Sequence, residues 1–344
     1  MHLTPIALRG KILGINLTWQ GVFMNLKSRL SFIYPILLLL AALIWGIAFT
    51  AQDMASGVGA FTIGASRNLF ATVFLFCIIP IFDRISKNNR SIIPKKSSQP
   101  FTKTELVGGL LMGIFLTLAS ALQQAGINLG TDAGKASFIT ALYVVLVPVF
   151  SRFFGKRQPI TVWISVGFAT VGFYLLCIGG DFNVVPSDLL LLLCAVGFVF
   201  HIMIIDRYSP LGDGVRMSAV QFATGFVLNT ALALIFESPI DFSAVSSAIL
   251  PILYLGIASS GIAYTLQIIG QRGTPPTAAS LILSLESAFG VLGAAIILDE
   301  VMLPREYIGC VIVFFAVVLS QIDVKRVFEY AKKRKEAKNG EKSK

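Results

Sequence analysis

The sequence predicts an all-α integral membrane protein of ten transmembrane helices, arranged as two inverted five-helix repeats. Three observations predict it. The 344 residues are 55% hydrophobic and only 13% charged, where soluble domains average about 25% charged. Their mean hydropathy is +0.79, more apolar surface than a water-soluble globule can hide. Ten apolar runs follow one another, each close to the ~20 residues a spanning helix needs. Finally, a block in the second half copies one in the first: an offset of 143 carries Gln124 to Gln267, Gly130 to Gly273, Thr131 to Thr274, Ala136 to Ala279 and Ser137 to Ser280, without a gap.

Residues 1–32 are read as a cytoplasmic N-terminal extension, apolar and weakly basic through Arg9, Lys11, Lys27 and Arg29. They lack the short apolar core and small-residue cleavage site of a signal peptide. Met24 leads directly into the first span and is read as the translation start, the alternative being a short interfacial helix. The apolar runs lie near 33–52, 58–82, 106–126, 132–151, 160–179, 188–205, 216–236, 248–269, 276–298 and 304–322. They are continuous, not alternating, so helices that pair their own backbone are expected, not barrel strands. Small residues recur within them, as at Gly108, Gly109 and Gly113, and at Ala258–Gly261, as close packing in lipid requires.

The links alternate in charge. Lys and Arg number four before the first span, six in 83–105, three in 152–159, two in 206–216, one at Arg272 and nine from 323 onward. The opposite links carry Asp53, Asp132, Asp181, Asp188, Glu237, Asp241, Asp299 and Glu300. By the positive-inside rule both termini are cytoplasmic, in a cell membrane. This placement also explains the net charge of +10 without nucleic acid. Segment 323–344 is read as a basic cytoplasmic tail that anchors topology. Cys77, Cys177, Cys194 and Cys310 all lie in apolar runs and read as buried thiols. No metal or other cofactor is expected.

Five spans fall in residues 33–179 and five in 188–322. Five is odd, so the second copy enters the membrane from the opposite face. Weaker pairings agree: Ala65-Ser-Arg67 with Ala219-Val-Gln221, and Ala42 and Trp45 with Ala195 and Phe198. Inverted repeats are the architecture of alternating access. No P-loop pattern is present, so ATP is not expected as the energy source.

The chain resembles the EamA family of the drug/metabolite transporter superfamily over nearly its whole length from residue 33. Carrying the resemblance are Ala42-Leu-Ile-Trp-Gly46, Arg67, Gly134-Lys-Ala-Ser-Phe-Ile-Thr140 with Pro148, Ala279-Ser-Leu-Ile-Leu-Ser-Leu-Glu286, and Asp299-Glu300. The resemblance implies ten helices in two inverted repeats, and export or exchange of small organic solutes. Ser287 stands where a proline usually follows the glutamate, which puts the expected kink of the ninth span in question. Asp299 stands where a glycine is usual.

Ionisable groups inside spans are costly and are functional candidates by default. Lys135, one turn into the fourth span, would draw an anionic group or couple to a proton; the alternative is snorkelling towards Asp132. Glu286, near the middle of the ninth span, would carry a proton or bind an amine; the alternative is a tie to a neighbouring helix. Arg67 is read as a paired structural residue, with Gln221 as its repeat match. Gln124 and Gln267 are cavity-lining or interhelical amides. Trp45 and Tyr143 are candidate aromatic walls, and His201 and Tyr264 lesser candidates. The function expected is secondary transport of small organic metabolites, amino acids or similar solutes, outward across the cytoplasmic membrane. The alternatives are a membrane enzyme on a lipid or prenyl phosphate, which would want clustered carboxylates, and a channel or partner subunit. The partners expected are a small-molecule solute and the bilayer, with a homodimer left open.

Overall fold

A computed structural model describes residues 19–88, 101–131, 133–177, 185–297 and 302–320, and every regular element among them is helical. The first five runs form α1 (Trp19–Met54), α2 (Ala60–Asn88), α3 (Lys103–Asn128), the pair α4 (Ala133–Ala141) and α5 (Tyr143–Phe153), and α6 (Ile160–Cys177). The next five form α7 (Pro186–Tyr208) and α8 (Gly214–Phe236), then a composite run. This consists of α9 (Phe242–Ser247), α10 (Ile249–Leu253), a π-helical stretch (Tyr254–Tyr264) and α11 (Thr265–Gln271). The pair α12 (Pro276–Leu283) and α13 (Leu285–Ile297) and finally α14 (Pro304–Ser320) complete the order.

Each predicted apolar run is therefore helical over its described residues. Seven stretches are both long and apolar enough to cross a bilayer: Ile33–Met54, Ala60–Arg84, Lys103–Asn128, Ala136–Phe153, Pro186–Leu211, Gly214–Phe236 and Ile249–Gln271. Ile160–Leu176 and Pro276–Leu292 are shorter apolar helices. The shorter ones, with α14, stop at the edges of the described residues. The chain is a multi-pass membrane protein. Its polarity is distributed accordingly: Leu43, Phe76, Leu118 and Val227 are exposed, while Asn68, His201, Gln221 and Asn229 are buried. Lipid solvates the former; of the latter, His201 and Gln221 bond to each other between helices at 3.0 Å, and Asn229 donates to the Gly225 carbonyl one turn back at 2.9 Å.

The helices pair in a pattern that repeats itself. α2 lies along α8, and α6 along α14. α3 packs on α7 and α8; correspondingly the run containing the π stretch packs on α1 and α2. α1 packs on α13, and α7 on α4 and α5. Exchanging each helix for its counterpart five runs later maps this set of contacts onto itself.

The α2–α8 pair is fastened at both ends. Arg216 Nη2 donates to Asp83 Oδ1 and Oδ2 at 2.8 and 2.9 Å. At the other end, Glu237 accepts from the backbone N–H of Phe61 and Thr62, both at 2.8 Å, and from the Thr62 hydroxyl at 2.7 Å. Those N–H groups begin α2 and have no acceptor within the helix, and a carboxylate there also meets the positive end of the helix dipole. An offset of 154 takes Thr62 to Arg216 and Asp83 to Glu237. The two fastenings are thus the same contact made once by each half.

Near the end defined by Asp83, Glu105 closes a capping box on Thr102, accepting its N–H at 2.8 Å, and also accepts from Asp213 N at 2.9 Å. Arg272 follows α11 and donates to the carbonyls of Ser209 and Gly212 at 2.9 and 2.7 Å. Partial burial lowers its guanidinium pKa from the usual arginine value. Arg272 therefore serves as a cap for the turn after α7.

The π stretch lets its run approach α2 closely. A Cβ at Gly256 would sit 2.6 Å from Phe70 Cβ and 3.0 Å from the Arg67 carbonyl, so only glycine fits there. Two crossed bonds hold the stretch to α1: Tyr254 OH donates to Ile44 O at 2.7 Å, and Trp45 Nε1 donates to Ser259 O at 3.1 Å. π-Helical turns are rare and recur at functional sites.

Candidate functional site

The fourth and ninth runs are each interrupted, within one residue of the matching position. The fourth breaks at Leu142, between α4 and α5; the ninth breaks at Ser284, between α12 and α13. An offset of 143 takes Ala141 to Ser284 and Tyr143 to Glu286. The ninth run therefore breaks although Ser287 replaces the proline, which answers the question raised by that residue. At this break Ser280 donates to Thr277 O at 2.8 Å and Ser284 to Leu281 O at 2.7 Å. Ser287 itself meets Ser137 of α4 across the interface, oxygen to oxygen at 2.6 Å.

Beside the two breaks lies a small cavity of about 40 Å³. Both halves wall it. From the first come Trp45 and Gln52 of α1, Arg67 of α2, Gln123 of α3 and Tyr143 of α5; from the second come Phe198 of α7, Ser259 and Tyr264 of the π stretch, Gln267 of α11 and Glu286 of α13. Interrupted helices at the interface of repeats are a recurrent way to build a solute site within a membrane.

The geometry is specific. Tyr143 OH donates to Glu286 Oε1 at 3.3 Å. Arg67 Nε donates to Ser260 Oγ at 3.0 Å and its Nη2 to Ser259 Oγ at 3.5 Å. Trp45 stacks obliquely on Tyr264, with ring centroids 4.5 Å apart, and Phe198 lies 6.2 Å from the Tyr143 ring. Arg67 and Glu286 are each 9% exposed. The cavity thus holds one guanidinium and one carboxylate between aromatic and amide side chains.

Of the residues singled out from sequence, Trp45, Tyr143, Tyr264, Gln267 and Glu286 line this cavity, and so does Arg67, expected there as a structural residue. Gln124 does not. It lines a neighbouring polar pocket between α2, α3 and α8, together with Arg67, Ser120 and Asn229, and donates to Asn128 Oδ1 at 2.9 Å. His201 lies behind Tyr264, its ring 5.7 Å away, and is bonded to Gln221 at 3.0 Å. Neither His201 nor Gln221 lines the cavity. Lys135 falls on α4, with its side chain outside the described residues, as are Asp132, Asp299 and Glu300.

Sequence reasoning missed Gln52, Gln123, Ser120 and Phe198. Phe198 had a signal, because the repeat pairs it with Trp45 and both aromatic rings face the cavity. Gln123 was hidden beside Gln124: adjacent helical residues point about 100° apart, so one of the two faces each pocket. Gln123 also donates to Thr140 Oγ1 at 3.3 Å. Among the described residues no cluster of His, Cys, Asp or Glu is arranged to hold a metal ion.

Comparison with known proteins follows the same division of the chain. Residues 32–178 and 185–321 each match the EamA-like transporter family. The chain is 29% identical over 294 residues to a protein of Archaeoglobus fulgidus named an uncharacterized transporter, covering 83% of this chain and 85% of that one. It shares its fold with a solved structure described only as the crystal structure of a protein. The TM-score is 0.68 at 18% identity, over 86% of this chain and 98% of that one. These likenesses point to a membrane transporter, not an enzyme, and on the two family matches the chain belongs to the EamA-like transporter family.

Proposed function

We propose that the protein is a secondary carrier, exporting small organic metabolites such as amino acids across the cytoplasmic membrane by alternating access. In this reading residues 33–179 and 188–322 are two five-helix units inserted with opposite orientations, giving ten transmembrane helices with both termini in the cytoplasm. Residues 1–32 and 323–344 are cytoplasmic extensions. The solute occupies the cavity between the units.

One observation carries the reading. Tyr143 and Glu286 hold the same place in the two halves, each just beyond a helix break, and they meet in a buried cavity walled by both halves. Equivalent residues that touch one another lie beside an axis relating their units. A site beside that axis can be opened to either face by rearrangements the two units share, which is the requirement of alternating access. The self-mapping helix contacts and the paired fastenings of α2 and α8 support the same symmetry.

The test is counterflow. Purified protein in liposomes loaded with unlabelled solute is presented with labelled solute from a panel of amino acids, organic acids, nucleosides and organic cations. Saturable, transient accumulation of at least one labelled solute supports a carrier. Flux that rises linearly with concentration, or no flux for any solute, overturns the reading.

A further inference from the structure

We infer that the turn joining α5 to α6 is a docking site for an anionic phospholipid. Arg152 and Arg157 receive its phosphate-bearing headgroup, and Phe153, Phe154 and Ile160 lie against its acyl chains. The site stands apart from the cavity and from any solute carried there.

The turn has a fixed backbone. α5 ends at Phe153, and Gly155 follows in the left-handed region with φ +80°. Lys156 N–H donates to the Ser151 carbonyl at 2.9 Å and Gly155 N–H to the Arg152 carbonyl at 3.0 Å, the pair of bonds that closes a helix through a left-handed glycine. The turn is also tied to α7 on either side of its exposed segment. Ser151 Oγ donates to Met203 Sδ at 3.5 Å, and Lys156 is ion-paired with Asp206.

Two kinds of side chain project from this frame. Phe153 is 82% exposed, more than any other large apolar side chain among the described residues, and Ile160 and Phe154 follow at 71% and 65%. Water penalises such exposure, whereas the bilayer boundary accepts it and collects aromatic rings. Arg152 and Arg157 are exposed in the same turn. The described carboxylates at this end are already engaged: Asp83 and Asp213 by Arg216, Asp206 by Lys156, and Glu105 by the N–H groups of Thr102 and Asp213. Among the described residues neither Arg152 nor Arg157 forms an ion pair. A guanidinium fork matches phosphate oxygens with paired N–H···O bonds. A zwitterionic headgroup brings its own cation beside the phosphate; an anionic one leaves a net charge for the arginines to meet. A soluble anion would satisfy the arginines and gain nothing from the rings, so the occupant is an amphiphile.

The experiment is native mass spectrometry of the full chain in detergent, with phosphatidylglycerol or phosphatidylcholine of matched chains, and with glycerol 3-phosphate as a headgroup without chains. The wild type is expected to bind phosphatidylglycerol about 30-fold more tightly than phosphatidylcholine, since each basic residue beside an anionic headgroup is worth about fivefold. Arg152→Gln/Arg157→Gln should reduce this preference below about threefold. Arg84→Gln/Lys103→Gln removes two exposed charges from α2 and α3 at the same end and should leave the preference intact. Phe153→Ala/Phe154→Ala should weaken both lipids by a common factor. All these side chains are exposed, so the variants should fold as the wild type does. Three results overturn the inference: no preference in the wild type, a preference in the turn variant as large as in the α2–α3 variant, or displacement of phosphatidylglycerol by an equal concentration of glycerol 3-phosphate.

Discussion

Tyr143 and Glu286 occupy one position of a duplicated unit, and the phenol of one donates to the carboxylate of the other at 3.3 Å. The two equivalent positions hold a donor and an acceptor. The contact links α5 of the first half to α13 of the second beside the cavity. Tyr143→Phe keeps the ring against Phe198 and deletes only the hydroxyl. It should cost about 1 kcal/mol, the net worth of one such bond, seen as a melting temperature lowered by about 3 °C in detergent. Tyr143→Ala should lose several times more, because it also empties buried aromatic volume. Equal losses in the two variants would show that the hydroxyl, and not the ring, is the main contributor.

Glu286 is the one carboxylate among the described residues lining the cavity. Acidification neutralises it, so exchange that depends on this carboxylate should decline as pH falls. Glu286→Gln is neutral throughout and should show a flatter profile over the same range, at a lower plateau. Counterflow measured with the same pH on both sides of the liposome checks this. A variant profile as steep as that of the wild type assigns the pH response to another group.

The fastenings at the two ends of α2 and α8 are expected to act independently of each other. Glu237→Ala strips three hydrogen bonds from the start of α2 and should cost about 1–2 kcal/mol, as the loss of a helix cap does. Asp83→Ala leaves Arg216 with Asp213 at 3.6 Å and should cost a comparable amount. The fastenings lie at opposite ends of the pair, so the double variant should show the sum of the two losses, within about 0.5 kcal/mol. Thermal melting of the four proteins makes the comparison.

Gly46 and Gly290 face one another where α1 crosses α13. A Cβ at Gly46 would lie 2.6 Å from Phe289 Cβ and 2.8 Å from Gly290 N, whereas a Cβ at Gly290 would come no nearer than 3.3 Å to Gly46 O. Gly46→Ala should therefore force the helices apart at a cost of about 1–3 kcal/mol. Gly290→Ala should need only a slight adjustment and be nearly neutral. Melting temperatures measured side by side test the asymmetry; if they change equally, the helices are more mobile here than the contact distances imply.

Membrane class and the positions of the apolar runs were legible in the chain because lipid imposes its demands locally. Each span must be apolar over its own length and must satisfy its own backbone, whatever its neighbours do. The duplication was legible too, since matching residues keep a fixed offset along the chain and pair Gln124 with Gln267 and Trp45 with Phe198, while Glu286 stood out as an ionisable group within a span and Tyr143 as an aromatic deep in one. What depends on rotation about a helix axis was not legible. Gln123 and Gln124 are neighbours in sequence, yet they face different pockets; His201 and Gln221 bond to each other and leave the cavity to Tyr264. The break at Ser284 is made without a proline, and the π stretch around Ser259 is held by a bond from Trp45 of another helix, neither of which the local sequence announces. The sequence alone determined which segments enter the membrane, because that is settled residue by residue against the lipid. Only the tertiary structure decided which side chains share a cavity, because that follows from how helices distant in the chain are turned towards one another.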